Sequence, residues 1–141
     1  GPKVTIKPGT VILAADDSLI ARTMIEEGLT AMGLPYIMCK TGKEAWEQLQ
    51  ALSAQAQNDG KRVQDRVALV LTDLEMPEMD GFTLTRNVKQ DPRFSSIPVV
   101  IHSSLTGAAN EAHVKKVGAD GYVAKFVAED LAQALRQALA A

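Results

Sequence analysis

With 141 residues, the chain can bury one core of ordinary domain size but not two large ones. Its 46% hydrophobic and 23% charged residues are an ordinary globular mixture, and a formal charge of −2 leaves no basic excess for a general nucleic-acid or anionic-membrane binder. A single cysteine, Cys39, excludes an internal disulfide and a cysteine-rich metal site. It fits a reducing cytosol, and no apolar run reaches the length of a membrane span, so a cytoplasmic location is expected.

The chain opens Gly1-Pro2 without an initiator Met, which reads as the scar of a cleaved expression tag. Residues 1–9 are therefore expected to be remnant and linker, residues 10–141 the domain, and the natural protein longer. Val11-Ile12-Leu13-Ala14-Ala15 is a first buried strand ending in Asp16-Asp17. Ser18 is a good helix N-cap, and Ile20, Met24, Ile25, Leu29 and Met32 recur at roughly helical spacing up to Gly33 and Pro35. Tyr36-Ile37-Met38-Cys39 is a weaker strand. Thr41 and Glu44 form a capping box before a helix whose apolar face carries Ala45, Leu49 and Leu52. From Ser53 to Arg66 no apolar pattern continues, which predicts a helix tail running into a long surface loop.

A third apolar run, Val67 to Leu71, stops at Thr72-Asp73 before a tight loop marked by Pro77 and Asp80-Gly81. A helix is expected from about Phe82 to Gln90, and Pro92 ends it. A fourth strand, Val99-Val100-Ile101, leads into His102-Ser103-Ser104. A short helix near Asn110 to Val117 stops at Gly118. A fifth strand, Tyr122-Val123-Ala124, ends at Lys125, and Leu131, Leu135 and Leu139 give the last helix its apolar face. Five strands alternating with five helices predict an α/β fold: a single five-stranded parallel sheet with helices on both faces.

In open sheets of this class, ligands sit beyond the carboxyl ends of the strands. There this chain carries Asp16-Asp17, Asp73, Ser103 and Lys125. Converging carboxylates repel unless a cation joins them, and hard oxygen donors without His or Cys suit Mg²⁺ better than Zn²⁺. An Asp nucleophile attacking phosphorus forms an acyl phosphate, with Lys125 available as the cation and the Ser103 hydroxyl as a hydrogen-bond donor. Taken singly, each residue has a plainer reading. The acid pair caps a helix, Asp80-Gly81 makes a turn, Ser103 is polar loop and Lys125 a surface lysine. His102 and His113 lack metal-ligand spacing and read as packing or surface residues. Cys39 reads as a small buried hydrophobe, and Trp46 and Phe82 as core or half-buried residues. Their joint placement at four strand ends carries the weight.

Asp16-Asp17-Ser18, the Thr72-Asp73-Leu74-Glu75-Met76-Pro77-Glu78-Met79-Asp80-Gly81 segment, Ser103 and Gly121-Tyr122-Val123-Ala124-Lys125 resemble receiver domains of two-component response regulators over about residues 10–140. The resemblance implies a CheY-like, flavodoxin-like (βα)5 fold with strand order 2-1-3-4-5. It implies that Asp73 takes phosphate from a histidine kinase and later releases it, so the chain is a phosphoacceptor signalling domain and not a conventional enzyme. Asp17, Asp73 and the Glu75 backbone carbonyl would ligate Mg²⁺, with Asp16 acting mainly through water. Lys125 would bridge to the phosphate, Ser103 would swing toward it, and Tyr122 would repack in response. The face built from helix four, strand five and helix five would then change partner affinity.

The Glu75–Gly81 loop, His102-Ser103-Ser104-Leu105, Lys125-Phe126 and the polar stretch before the third strand further resemble the receiver of CheV-type chemotaxis coupling proteins. That implies a CheA-like kinase, a chemotaxis receptor complex, and a CheW-like domain outside this chain. The departure from the family pattern is Phe126, where most receivers follow the lysine with proline, often through a cis peptide. Glu75 and Leu105 flank the expected phosphoryl position and are expected to tune phosphate lifetime through water access. Three rival readings stay open. One is a receiver-shaped docking module that never carries phosphate, and another is an Asp-x-Asp aspartyl phosphatase with Glu75 as second acid. The last is a flavodoxin-like electron carrier, in which Asp16-Asp17 would repel the FMN phosphate.

Overall fold

The computed structural model describes residues 3–104, 108–125 and 127–140, with the side chains of 108–110 set apart. Five strands, β1 (Val11–Ala15), β2 (Tyr36–Cys39), β3 (Val67–Asp73), β4 (Val99–Ser103) and β5 (Gly121–Ala124), form one parallel sheet in the order β2-β1-β3-β4-β5. The helices between and after them are α1 (Leu19–Ala31), α2 (Gly42–Asn58), α3 (Gly81–Gln90), α4 (Ala108–Lys116) and α5 (Ala128–Ala140). None is long and apolar enough to cross a membrane.

Alternation along the strands sends side chains into two separate cores. Leu13, Val70, Val99 and Ile101 pack with Ala45 and Leu49 of α2 and Leu84 and Val88 of α3. Ile12, Leu71, Val100 and Val123 pack with Ile25 and Leu29 of α1 and Leu135 of α5. Because both faces are covered, the strands are apolar runs and not alternating ones. Val4 and Ile6, in the lead-in before β1, pack onto the second core.

The caps expected at helix starts are present. Ser18 Oγ accepts from the Ala21 amide at 3.3 Å, and Thr41 Oγ1 from the Glu44 amide at 3.0 Å. Gly33 ends α1 at φ +71°. Cys39 is buried, and burial first, then the Glu44 charge, pushes its thiol up to about 12. Trp46 packs edge-on against Phe94 at 5.4 Å, and Phe82 stacks on His113 at 3.9 Å.

Two expectations are corrected. The helix tail expected after Ser53 is present, α2 running to Asn58, but it keeps an inward face, with Ser53 and Ala56 buried one and two turns beyond Leu49. A 3₁₀ turn over Val63–Asp65 then puts Val63 into the core. The pattern was invisible because Ser and Ala mark the inward face there. In α1 the buried ridge is Ala21, Ile25 and Leu29, leaving Ile20 71% and Met24 42% exposed.

Candidate functional site

The strands deliver their polar ends to one edge, and β3 places Asp73 as its last residue. Parallel register sets Thr72 beside Ala15, and Asp73 beside His102. Asp16, one residue beyond β1, is fully buried. Its Oδ1 accepts from the Ser18 amide at 2.8 Å, and its backbone carbonyl accepts from Arg22 at 3.0 Å. The start of α1 thus holds the first acid rigidly. Asp17, next in sequence, is exposed and faces an open polar cleft shared with Asp73, Glu75, Ser103, Ser104 and Lys125.

Lys125 follows β5 directly, its amide donating to the Ser103 carbonyl at 3.1 Å. Its Nζ lies 3.0 Å from Asp16 Oδ2 and 3.0 Å from Asp73 Oδ1. The expected surface-lysine reading of Lys125 alone therefore gives way to a part-buried cation shared by two carboxylates. Burial alone would pull the ammonium down, but the contacts with Asp16 and Asp73 more than offset it, so the net shift is upward. Asp73 moves the other way from a paired carboxylate. Burial is the largest influence and pushes it up to about 6, the Lys125 contact opposes this, and the Asp16 charge adds to it.

The loop from Leu74 to Asp80 is held by close backbone approaches. The Gly81 amide donates to the Leu74 carbonyl at 2.8 Å and the Lys43 amide to the Glu78 carbonyl at 2.7 Å. A Cβ on Gly81 would stand 2.1 Å from the Asp73 carbonyl oxygen, and one on Gly42 2.0 Å from the Met79 carbonyl oxygen. Glycine is required at both positions for that reason. Glu78 and Met79 adopt positive φ, +51° and +88°, a conformation that non-glycine residues reach only when the surroundings impose it. Asp80 caps α3, its Oδ1 accepting from the Thr83 amide at 2.8 Å, so the turn reading of Asp80-Gly81 becomes a helix start.

Asp16, Asp73, Lys125 and Ser103 come together as their strand-end positions require, with the exposed residues Asp17 and Glu75 lining the same cleft. Ser103 is buried at the edge of the cleft. Tyr122 is half-buried on β5, packed against the α2–α3 core and bordering a groove beside α5. Leu105 and the Lys125–Phe126 peptide lie outside the described residues. His102 was missed as a site neighbour: it is buried, with Nδ1 3.7 Å from Asp16 Oδ2. Burial first pulls its imidazole down to about 4; the Asp16 carboxylate opposes this, the Lys125 charge adds to it, and the net result is a neutral ring. A strand-parity signal could have found it, because position 102 shares the α1–α5 face with Val100.

The profile of the response regulator receiver domain matches residues 12–137. The chemotaxis protein CheV1 of Helicobacter pylori is 33% identical over 128 residues, covering 91% of this chain but 37% of CheV1. Chemotaxis protein CheY1 of the same species is 32% identical over 115 residues, covering 81% of this chain and 83% of CheY1. Across the CheV relatives the chain spans about two fifths of their length, 37–40%. Among solved structures, the chemotaxis response regulator CheY4 of Vibrio cholerae aligns with a TM-score of 0.76 at 25% identity, covering 92% of this chain and 98% of that one. An acid-lined edge bridged by one lysine, on a sheet ordered β2-β1-β3-β4-β5, coincides with that sequence match, and the chain belongs to the response regulator receiver domain family.

Proposed function

We propose that the chain is a phosphoacceptor switch of the chemotaxis type, occupying residues 10–141, with Asp73 as the residue that is phosphorylated. The observation that carries this reading is Asp73 itself: a strand-end carboxylate, buried except toward a polar cleft, with Oδ1 3.0 Å from Lys125 Nζ. An Asp73 oxygen attacks the phosphorus of a phosphohistidine. The P–O bond forms, the P–N bond breaks, and the donor imidazole leaves. In a separate hydrolysis, water attacks phosphorus, a new P–O bond forms as the bond between phosphorus and the Asp73 oxygen breaks, and inorganic phosphate and the free carboxylate are released.

Lys125 neutralises charge on the transferred group, and Ser103, at the cleft edge, turns its hydroxyl toward it. Tyr122 repacks as Ser103 moves, which alters the α4–β5–α5 face. The donor set fits Mg²⁺, because Asp17, Asp73 and Glu75 line an open cleft with room for waters, and each can offer a hard oxygen, Glu75 through its backbone carbonyl. Asp16, already engaged by Ser18 and Lys125, acts through water. When bound, the ion polarises the phosphoryl oxygens and offsets the carboxylate charge. Glu75, exposed at the rim, and Leu105 regulate water access, so substituting either with Ala alters the dephosphorylation rate.

A CheA-like histidine kinase as phosphodonor is supported by the similarity to chemotaxis proteins CheV1 and CheY1, and Leu19 and Ile20, 70% and 71% exposed beside Asp17, offer a protein donor an apolar contact. Similarity to CheV proteins supports a cytoplasmic receptor complex reached through a CheW-like domain outside this chain. The test is intact-protein mass after incubation with acetyl phosphate and Mg²⁺, beside Asp73→Asn. An acid-labile adduct on the parent, absent from the variant and without Mg²⁺, is expected. No adduct with acetyl phosphate or with a phosphorylated kinase would leave a docking module instead.

A further inference from the structure

His102 is a buried polar residue at the site for which phosphoryl transfer supplies no role. It lies beside Asp73 in the β3–β4 register and precedes Ser103. Nδ1 stands 3.7 Å from Asp16 Oδ2, roughly 0.7 Å longer than an ordinary N–H···O hydrogen bond. The Ala15 carbonyl accepts from the ring, while Nε2 is buried without a partner. The ring proton therefore resides on Nδ1, the nitrogen that faces Asp16. Asp16 Oδ2, for its part, depends on Lys125 Nζ at 3.0 Å, and that same ammonium serves Asp73. Among the described residues, Lys125 and His102 are the two basic side chains within 4 Å of the Asp16 carboxylate.

One cation shared by two acids makes a conflict. A phosphoryl group on Asp73 draws Lys125 outward, and Asp16, fully buried and reaching the metal only through water, loses the direct donor to its Oδ2. The donor at hand is His102. We propose that His102 is a positioning residue for phosphoryl transfer: as Lys125 turns to the phosphoryl oxygens, the Nδ1–H of His102 shifts from the Ala15 carbonyl onto Asp16 Oδ2 and takes over the contact that Lys125 gives up. A carboxylate is the stronger acceptor of the two, so the shift is downhill once Lys125 has moved. No proton is transferred; the ring remains neutral throughout. This inference rests on the phosphoacceptor reading.

The test follows the His102 ring in ¹⁵N-labelled parent protein by NMR, before and after adding Mg²⁺ with beryllofluoride as the phosphoryl mimic. The Nδ1 proton is expected to move downfield as it meets a charged acceptor. In parallel, steady-state phosphorylation by acetyl phosphate is compared in His102→Leu, which has no donor, and His102→Asn, whose amide nitrogen replaces Nδ1. Occupancy should fall roughly tenfold in the Leu variant and stay within about threefold of the parent in the Asn variant, the difference expected of one hydrogen bond to a charge. An unmoved Nδ1 proton in a parent that binds beryllofluoride overturns the proposal but not the phosphoacceptor reading, as do equal losses in the two variants. A parent that takes up neither phosphate nor mimic overturns both. The ring signal is read on the parent, so the result does not depend on either variant folding.

Discussion

Replacing Asp73 with Asn should make the protein more stable at neutral pH, and the gain should depend on pH in a defined way. In the folded protein the Asp73 carboxyl sits at about 6, against 3.8 for the free group, with burial as the main cause. The native state therefore binds this proton more tightly than the unfolded chain does. For a raised acid, stability is greatest below the unfolded value and declines as pH rises through the folded one. Between pH 4 and 6 the ionisation of Asp73 costs about 3 kcal/mol, the free-energy equivalent of that displacement. Asn has the same shape as the protonated acid and never ionises. The difference between Asp73→Asn and parent should be near zero at pH 4, reaching about 3 kcal/mol in favour of the variant at pH 7. Urea unfolding in metal-free buffer, followed through Trp46 where it packs on Phe94, measures this at each pH. Titrating groups out of contact with Asp73 cancel in the difference, and Lys125, raised above its ordinary value, stays charged across this range. A variant no more stable than parent at pH 7, or a gain that does not vary with pH, refutes the reasoning. Mg²⁺ should narrow the gap, since a ligand at one hundred times its dissociation constant adds about 2.7 kcal/mol to the parent that binds it.

Two further substitutions probe the same architecture. Lys125→Met leaves Asp16 and Asp73 facing each other without their shared cation, and should destabilise the protein by about 3 kcal/mol at pH 7. The loss should shrink at pH 5, where Asp73 takes up a proton; urea unfolding at the two pH values decides it. Gly81→Ala and Gly42→Ala force a methyl against backbone carbonyls at 2.1 and 2.0 Å, and each should cost about 2–3 kcal/mol. Because the clash at Gly81 is with Asp73 itself, that variant should also lose phosphate uptake per folded molecule, read by intact mass.

The sheet and its acidic edge were legible in the sequence because burial on both faces turns each strand into an apolar run, and a carboxylate at the end of such a run stands out. Helix starts at Ser18 and Thr41 were legible because capping is a local interaction, complete within four residues. What depended on neighbours far away in sequence was not. The inward ridge of α1 passes through Ala21 and not Ile20, because the side chain nearest the sheet is chosen by how closely α1 packs, and a small residue permits the closer approach. The same logic hides the second half of α2, where Ser53 and Ala56 face the core. His102 is the sharpest case. As a residue type it carries no periodic signal, and nothing beside it in sequence reveals the Asp16 carboxylate 3.7 Å away. Its burial follows from strand parity, but its meaning follows from the number of cations at the edge. Two buried acids share Lys125, so any event that commits that lysine to one of them exposes the other. A second donor behind Asp16 turns that conflict into a defined exchange of partners, which is how a small movement at a sheet edge can have two discrete arrangements.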